Sequence, residues 1–465
     1  MSRPEAAASF VPDADTLAYL PLGGTGEIGM NLNLYGHAGA WLMVDCGMMV
    51  DRDRPDGILL PDPRFVAEQA DRLVGLVLTH AHQDHLGALP WLWPALRCPI
   101  WATPFTAEVL RRQLARRGVP FAGLLDLRTA RPGRPEQIGP FSVEWVTLTH
   151  SIPEPCAVIL ETPAGTVLHT GDWKLEEAPV VGDAYDRARL ERLGRSRPLA
   201  MVGDSTNATV EGSTPAEASL EPGLERAVRE AGGGRVVVGC FSSNVARLVT
   251  LGRVAVATGR RLCMLGRAIE HMVGAARGTG YWGVDVSWVP ARDIGYLPRD
   301  EVLAVATGSQ GEPRAALDRL AAGNHRDLDL EPGDTVILSA RQIPGNEEAI
   351  ARLCERLRAR GVRVVGADGE HHIHASGHPA RDDLRRMYGW VRPRIAVPTH
   401  GEARHLDAHA ELARECGVET ILPARNGTVC QLAPGRPGIV ARVPTGRLRV
   451  ERDDDEPVPV GPDLE

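Results

Sequence analysis

One eight-residue stretch constrains this chain more than any other: Leu78-Thr79-His80-Ala81-His82-Gln83-Asp84-His85. An apolar run, Val74 to Leu78, predicts a strand that ends in a loop carrying three His and one Asp. In extended backbone, side chains at i and i+2 point to the same side, so His80 and His82 can face one cation. Asp84 and His85 lie past the turn and can face a second. The same Thr-His ending follows two other apolar strands, at Thr149-His150 and Thr399-His400, and His169-Thr170-Gly171-Asp172 closes a fourth. A lone buried His is usually a core residue; four strands ending in such residues at one sheet edge make a metal centre. Imidazole and carboxylate ligands suit Zn, Mn or Fe rather than Ca.

The remaining sequence suits a globular protein. Of 465 residues 43% are apolar and 24% charged, which excludes a fibrous or wholly disordered chain. The length favours two or three domains. No apolar run approaches the ~20 residues that cross a bilayer. Met1 to Asp15 lacks the basic and apolar regions of a secretory signal, so no membrane association is expected. The eight Cys are scattered without a C-x-x-C pair and read as reduced thiols of a cytoplasmic protein. With 52 positive and 60 negative residues the net charge is −8. That excludes nucleic-acid binding by bulk charge but leaves room for a local basic groove. Lys174 is the single Lys, a bias that reads as genome composition.

Short strand-like runs recur over the first 210 residues, among them Trp41 to Val44, Val74 to Leu78, Phe141 to Leu148 and Thr166 to Leu168, with a helix at Thr106 to Arg117. From about Thr214 amphipathic helices (Pro222 to Ala231, Val245 to Thr258, Arg314 to Ala322, Glu347 to Arg360) alternate with strands (Arg235 to Gly239, Glu301 to Ala306, Thr335 to Ser339, Val362 to Val365). Such alternation predicts a parallel sheet covered by helices. After about His371 the first texture returns, with a strand at Arg394 to Val397, so one domain is interrupted by an inserted α/β domain. Residues 1–15 read as a flexible N-terminus and the acidic stretch 446–465 as a disordered tail.

Several motifs together carry a family resemblance. H-x-H-x-D-H followed by a distant His, then Asp, then His resembles the metallo-β-lactamase superfamily. Leu22-Gly23-Gly24-Thr25-Gly26-Glu27-Ile28-Gly29 is similar to the ribonuclease J family of β-CASP nucleases. So are Gly203-Asp204-Ser205-Thr206-Asn207, Thr307-Gly308-Ser309-Gln310-Gly311-Glu312-Pro313, Ile343-Pro344-Gly345-Asn346-Glu347, Ala375-Ser376-Gly377-His378 and Pro398-Thr399-His400-Gly401-Glu402. The resemblance implies an α/β fold: an αββα metallo-β-lactamase sandwich over 16–213 and 372–445, with an inserted α/β β-CASP domain over 214–371. RNA is expected in the cleft between them. The resemblance assigns His80, His82 and His150 to one metal and Asp84, His85 and His400 to the other, with Asp172 bridging; Asp84 also counts among the catalytic residues. It implies two divalent ions, Zn with Mn as the alternative. Asp45 matches a structural Asp that orients the ligand loop, against an ordinary strand-end Asp. Asp204 matches a residue that orients a ligand His. His378 matches one that protonates the leaving 3′ oxygen or stabilises charge on the phosphorane, against a structural hydrogen bond.

Phe241-Ser242-Ser243-Asn244 stands between a strand and a helix. On residues alone it is either an anion site at a helix start or a plain N-cap. The resemblance puts a similar segment beside a 5′-terminal phosphate pocket, which implies Ser242, Asn244, Ser376 and His378 as substrate-binding residues. Ser309-Gln310-Gly311 reads as a packing turn or a substrate wall, and the Arg pairs Arg111-Arg112 and Arg116-Arg117 as a solvated helix face. The run His371-His372-Ile373-His374 reads as local polar packing, against a site for stray metal, and Ala375 stands where the family usually has Val. The family carries a further C-terminal domain, and this chain is expected to stop near the end of the catalytic core. A homodimer and RNA-decay partners are expected by analogy.

The implied function is a metal-dependent ribonuclease, a 5′-to-3′ exonuclease preferring a 5′-monophosphate, with endonuclease activity beside it. One rival is a hydrolase of a small ester or phosphodiester, which has no need of a clamping domain spanning 214–371. The other is a non-catalytic RNA-binding homologue, against which stands the complete ligand set.

Overall fold

The computed structural model describes residues 10–51, 54, 57–119, 122–343, 345–366, 369–451 and 456–460. Two sheets lie face to face. One has eight strands, from Gly438–Arg442 at one edge through Leu17–Gly23, Leu32–His37, Ala40–Val44 and Leu73–Val77 to Leu127–Thr129 at the other. The second has seven, including Phe141–Thr147, Cys156–Thr162, Gly165–His169, Ala200–Asp204 and Ile395–Thr399. Alternation along each strand makes the sandwich. Leu17, Tyr19, Leu42 and Val44 meet Val143, Trp145, Val158 and Val202 between the sheets. The intervening Ala18, Leu20, Trp41 and Met43 face the other way, toward helices Leu89–Leu96 and Pro104–Arg116. On the second sheet Ile159, Leu168, Met201 and Ala396 turn out toward helices Arg187–Arg195, Arg381–Val391 and Ala403–Glu415. Helix, sheet, sheet, helix is the expected αββα order.

The insertion forms its own five-stranded parallel sheet, ordered Arg261–Leu265, Val302–Ala306, Val236–Gly239, Thr335–Leu338 and Arg363–Val365. Helices Ala316–Ala322 and Glu347–Ala359 cover one face, and Glu221–Arg229, Val245–Ala257 and Arg267–Gly278 the other. The latter face shares one apolar core with the outer face of the first sheet, where Phe105 meets Tyr281 edge-on at 6.0 Å. No helix among the described residues is long and apolar enough to cross a membrane.

Both chain ends differ from expectation. Residues 1–9 lie outside the described residues, but from Phe10 the chain is held: Phe10 packs on Trp41, and the N–H groups of Ala38 and Gly39 donate to Asp13 and Pro12 carbonyls at 3.1 and 2.8 Å. Within 446–465, read as disordered, Arg447–Val450 pairs antiparallel with Ile58–Pro61 and with Val458–Pro459. Its apolar members Leu448 and Val450 alternate with Arg, enough for an edge strand despite the acidic surroundings. Positions 452–455 and 461–465 lie outside the described residues.

Candidate metal centre

Parallel pairing brings the loops to one rim. Val44 is opposite Val77, so Asp45 and the His80–His85 segment emerge together. Asp204 is opposite Thr399, which sets His400 beside it, and His169 is opposite Val202, three residues before Asp172. Loops beyond the carboxyl ends of parallel strands are where open α/β sheets bind ligands. Donor atoms of His80, His82, His150 and Asp172 lie within 4.8 Å of one another, and so do those of Asp84, His85, Asp172 and His400. These are the two sets the sequence predicted, with Asp172 in both. A further group joins Asp172, Asp204, His378 and His400.

Acceptors around the rim fix where the imidazole protons sit. Asp45, held at φ +66°, accepts from Thr79 N at 2.9 Å and from His85 Nδ1 at 2.7 Å. The Thr79 hydroxyl donates to Asp45, so it accepts from His80 Nδ1 at 3.0 Å. The Gly377 carbonyl accepts from His150 Nδ1 at 2.6 Å. Asn31 must turn Nδ2 to the Asp84 carbonyl, which can only accept (3.0 Å). Its Oδ1 therefore accepts from His400 Nδ1, also at 3.0 Å. All four rings are thus tethered through Nδ1; His80, His150 and His400 turn an unprotonated Nε2 toward the centre, and His85 turns its Nε2 toward Asp172 and Asp84. The Nε2 atoms of His80 and His400 and Oδ1 of Asp172 are buried without a hydrogen-bond partner. Buried lone pairs left bare are costly, and cations relieve that cost, so this donor set fits divalent metal ions.

Charge follows the same plan. Burial pushes His80 and His150 well below the ordinary imidazole range and His82 down to about 4, keeping them neutral. Burial also opposes charge on His85, but Asp172, Asp84 and Asp45 outweigh it and hold that ring well above the usual range. Asp172 sits well below the usual carboxylate range: burial disfavours its charge, and His400, His85 and His378 more than restore it.

His378 stands at the edge of the centre, its side chain 21% exposed. Its Nδ1 donates to Asp204 Oδ2 at 2.8 Å and lies 3.8 Å from Asp172. Burial works against protonation there, yet Asp204 and Asp172 lift the group to about 9. Asp204 was expected to orient a ligand His; the ring it accepts from is that of His378. Asn207 Nδ2 and Thr214 Oγ1 donate to the His378 carbonyl at 3.1 and 2.6 Å.

The other candidates divide. Asn244 Oδ1 accepts from Arg247 N at 2.8 Å and caps helix Val245–Ala257, so its oxygen serves the plain-cap reading. Ser376 Oγ accepts from Asn207 Nδ2 at 2.8 Å. Gln310 bonds Arg341 O and Ile343 N, both at 2.9 Å, and is a packing turn. His371 and His372 bond Glu230 and Ser219, both at 3.1 Å, as local packing. Sequence reasoning passed over Asn31, two residues past the glycine-rich segment, and Thr79, inside the motif itself.

Residues 29–210 match the metallo-β-lactamase superfamily model, 233–357 the β-CASP domain of ribonuclease J, and 364–423 the Zn-dependent metallo-hydrolase RNA specificity domain. A ribonuclease J of Sinorhizobium meliloti is 43% identical over 444 residues, covering 93% of this chain and 77% of that one. The chain belongs to the ribonuclease J family. A ribonuclease J of Mycolicibacterium smegmatis is 40% identical, covering 92% and 77%, and one of Helicobacter pylori 32%, covering 94% and 63%. A crystal structure of a protein of unknown function from Enterococcus faecalis V583 superposes with a TM-score of 0.62 at 14% identity, covering 90% of this chain and all of that one. That likeness concerns the fold alone.

Proposed function

We propose that this chain is a metal-dependent ribonuclease that degrades RNA from the 5′ end, prefers a 5′-monophosphate and also cuts internally. The observation that carries the reading is the set of four Nδ1-tethered imidazoles around Asp172, with His378 beside them. His80, His82 and His150 would hold one divalent ion and Asp84, His85 and His400 the other, with Asp172 shared. Zn is the ion this imidazole-rich set favours. Such a pair, when bound, lowers the pKa of water and neutralises charge on a phosphodiester. His378 Nδ1 is tied to Asp204, so its Nε2 proton is the one available to the leaving 3′ oxygen. Asp204 fixes that ring, and Asp172 helps keep it protonated near neutral pH.

For the 5′ end, the Ser242 and Ser376 hydroxyls are the proposed phosphate contacts, with His378 beside them in the same pocket. A neutral end leaves such donors unmatched at about 1–3 kcal/mol per buried group. Seven of the eight Cys are buried and all are free thiols, which supports work in a reducing cytoplasm. Digestion of one end-labelled RNA bearing a 5′-hydroxyl, monophosphate or triphosphate tests the reading. Mononucleotides released from the 5′ end, fastest from the monophosphate, are the expected products. Equal rates on all three forms would remove the end preference, and an uncut circular RNA would remove the internal activity.

A further inference from the structure

Among the described residues, His150 is the one proposed ligand ring gripped by chain from the far side of the insertion. Its Nδ1 donates to the carbonyl of Gly377, which the chain reaches only after the inserted domain is complete. That approach demands glycine: a Cβ at Gly377 would lie 2.5 Å from His150 Cε1 and 2.8 Å from Nδ1. The neighbouring Ser151 carbonyl accepts from Ala246 N, in the first turn of the inserted domain's helix Val245–Ala257, at 3.1 Å.

Behind His150 runs a buried ionic strut. Thr149 Oγ1 accepts from Glu176 N at 3.1 Å. Glu176 pairs with Lys174 at 2.6 Å and accepts from the Glu217 N–H. Glu217 pairs with Arg247, whose Nη1 donates to Ser339 O at 2.7 Å and Ile373 O at 3.2 Å. Ser339 Oγ donates to Ile373 O at 2.7 Å. Lys174 and Arg247 are both fully buried, with Glu176 and Glu217 beside them, so the four charges cancel within the interior. Breaking such a buried pair is far more costly than breaking one at the surface. The strut ties three elements together: the loop before His150, the inserted domain at Arg247 and Ser339, and the returning segment at Ile373.

We propose that Gly377 and the Lys174–Glu176–Glu217–Arg247 strut are positioning residues through which the seated inserted domain sets the orientation of His150, so that docking of that domain and loading of one of the two metal positions are a single coupled event. The inference rests on the proposed ligand sets. The second position is built by Asp84, His85 and His400, whose rings are oriented by Asp45 and Asn31 from the first domain alone.

The test is titration of metal-free full-length chain with Co²⁺, followed by visible absorption and chelator competition. Wild type is expected to take two ions. Gly377→Ala should weaken one of them by about 10–100-fold, the usual effect of losing an outer partner of a ligand, and leave the other unchanged. Glu217→Gln keeps the side-chain shape far from any ligand and should weaken the same ion, so the proposal remains testable if Gly377→Ala fails to fold. In a His150→Ala background, Gly377→Ala should add nothing. Two ions bound with wild-type affinity in both variants would overturn the coupling while leaving the ligand sets standing, and so would equal weakening of both ions. Fewer than two ions on wild type would overturn the ligand sets themselves.

Discussion

At the scale of single residues, position and proton placement divide the work at the rim. Among the described residues Asp172 is the only carboxylate within reach of both groups of imidazoles. Asp172→Ala should therefore lower metal content at both positions, and elemental analysis showing two ions retained would contradict its shared role. His378 has a different relation to the centre: its Nδ1 is taken by Asp204 at 2.8 Å. His378→Ala should leave both ions in place while turnover on 5′-monophosphorylated RNA falls by about 10²–10⁴-fold, the span of a positioned general acid. Metal loss in that variant would make His378 a ligand; near-normal turnover would make it structural.

At the scale of elements, close backbone packing makes a sharp prediction. Helices Arg187–Arg195 and Arg381–Val391 cross on the outer face of the second sheet, with Gly194 against the Trp390 carbonyl. An added Cβ at Gly194 would lie 1.8 Å from that oxygen. Gly194→Ala should force the helices apart and cost about 1–3 kcal/mol, the usual penalty of overpacking. Urea denaturation measures it, and an unchanged midpoint would refute the packing. The same elements show what was legible beforehand. The strands that carry the rim were legible because their apolar runs end abruptly in Asp or Thr-His. Strand Arg261–Leu265 and helix Arg267–Gly278 carry a weaker signature. The strand opens on an exposed Arg, Gly266 turns at φ +135°, and Gly274 interrupts the apolar face of the helix. Lys174 read as compositional bias, yet it is a buried member of the strut. Its partner Glu217 is remote in sequence, and no local pattern announces a pairing that exists only once two domains meet. Asn31 escaped notice for the same reason, since it acts through a ring 369 positions away, and Gly377, quoted in a motif, gave no sign of its hold on His150, 227 positions away.

At the scale of the whole molecule, buried neutral imidazoles tie stability to pH. His409 sits behind the rim, 1% exposed, between the Ser205 hydroxyl and the Tyr388 hydroxyl, each 2.8 Å away. Burial pushes its pKa down to about 4. In the unfolded chain an imidazole titrates near 6.5. Between these values the unfolded state holds the extra proton, so stability rises with pH across that window. The contribution is fully present above about pH 6.5 and is lost progressively as pH falls toward 4, to a total of about 3 kcal/mol. His409→Gln, which cannot take up that proton, should flatten this part of the profile, whatever it costs at neutral pH. Urea midpoints of both proteins at pH 7.5 and pH 5, each with chelator present so that metal release does not enter, give the comparison. Wild type should lose more stability between the two pH values than the variant, by about 2 kcal/mol. Parallel losses would mean that His409 is already accessible to protons in the folded chain, and that the packing of Tyr388 and Ser205 around it does not exclude water.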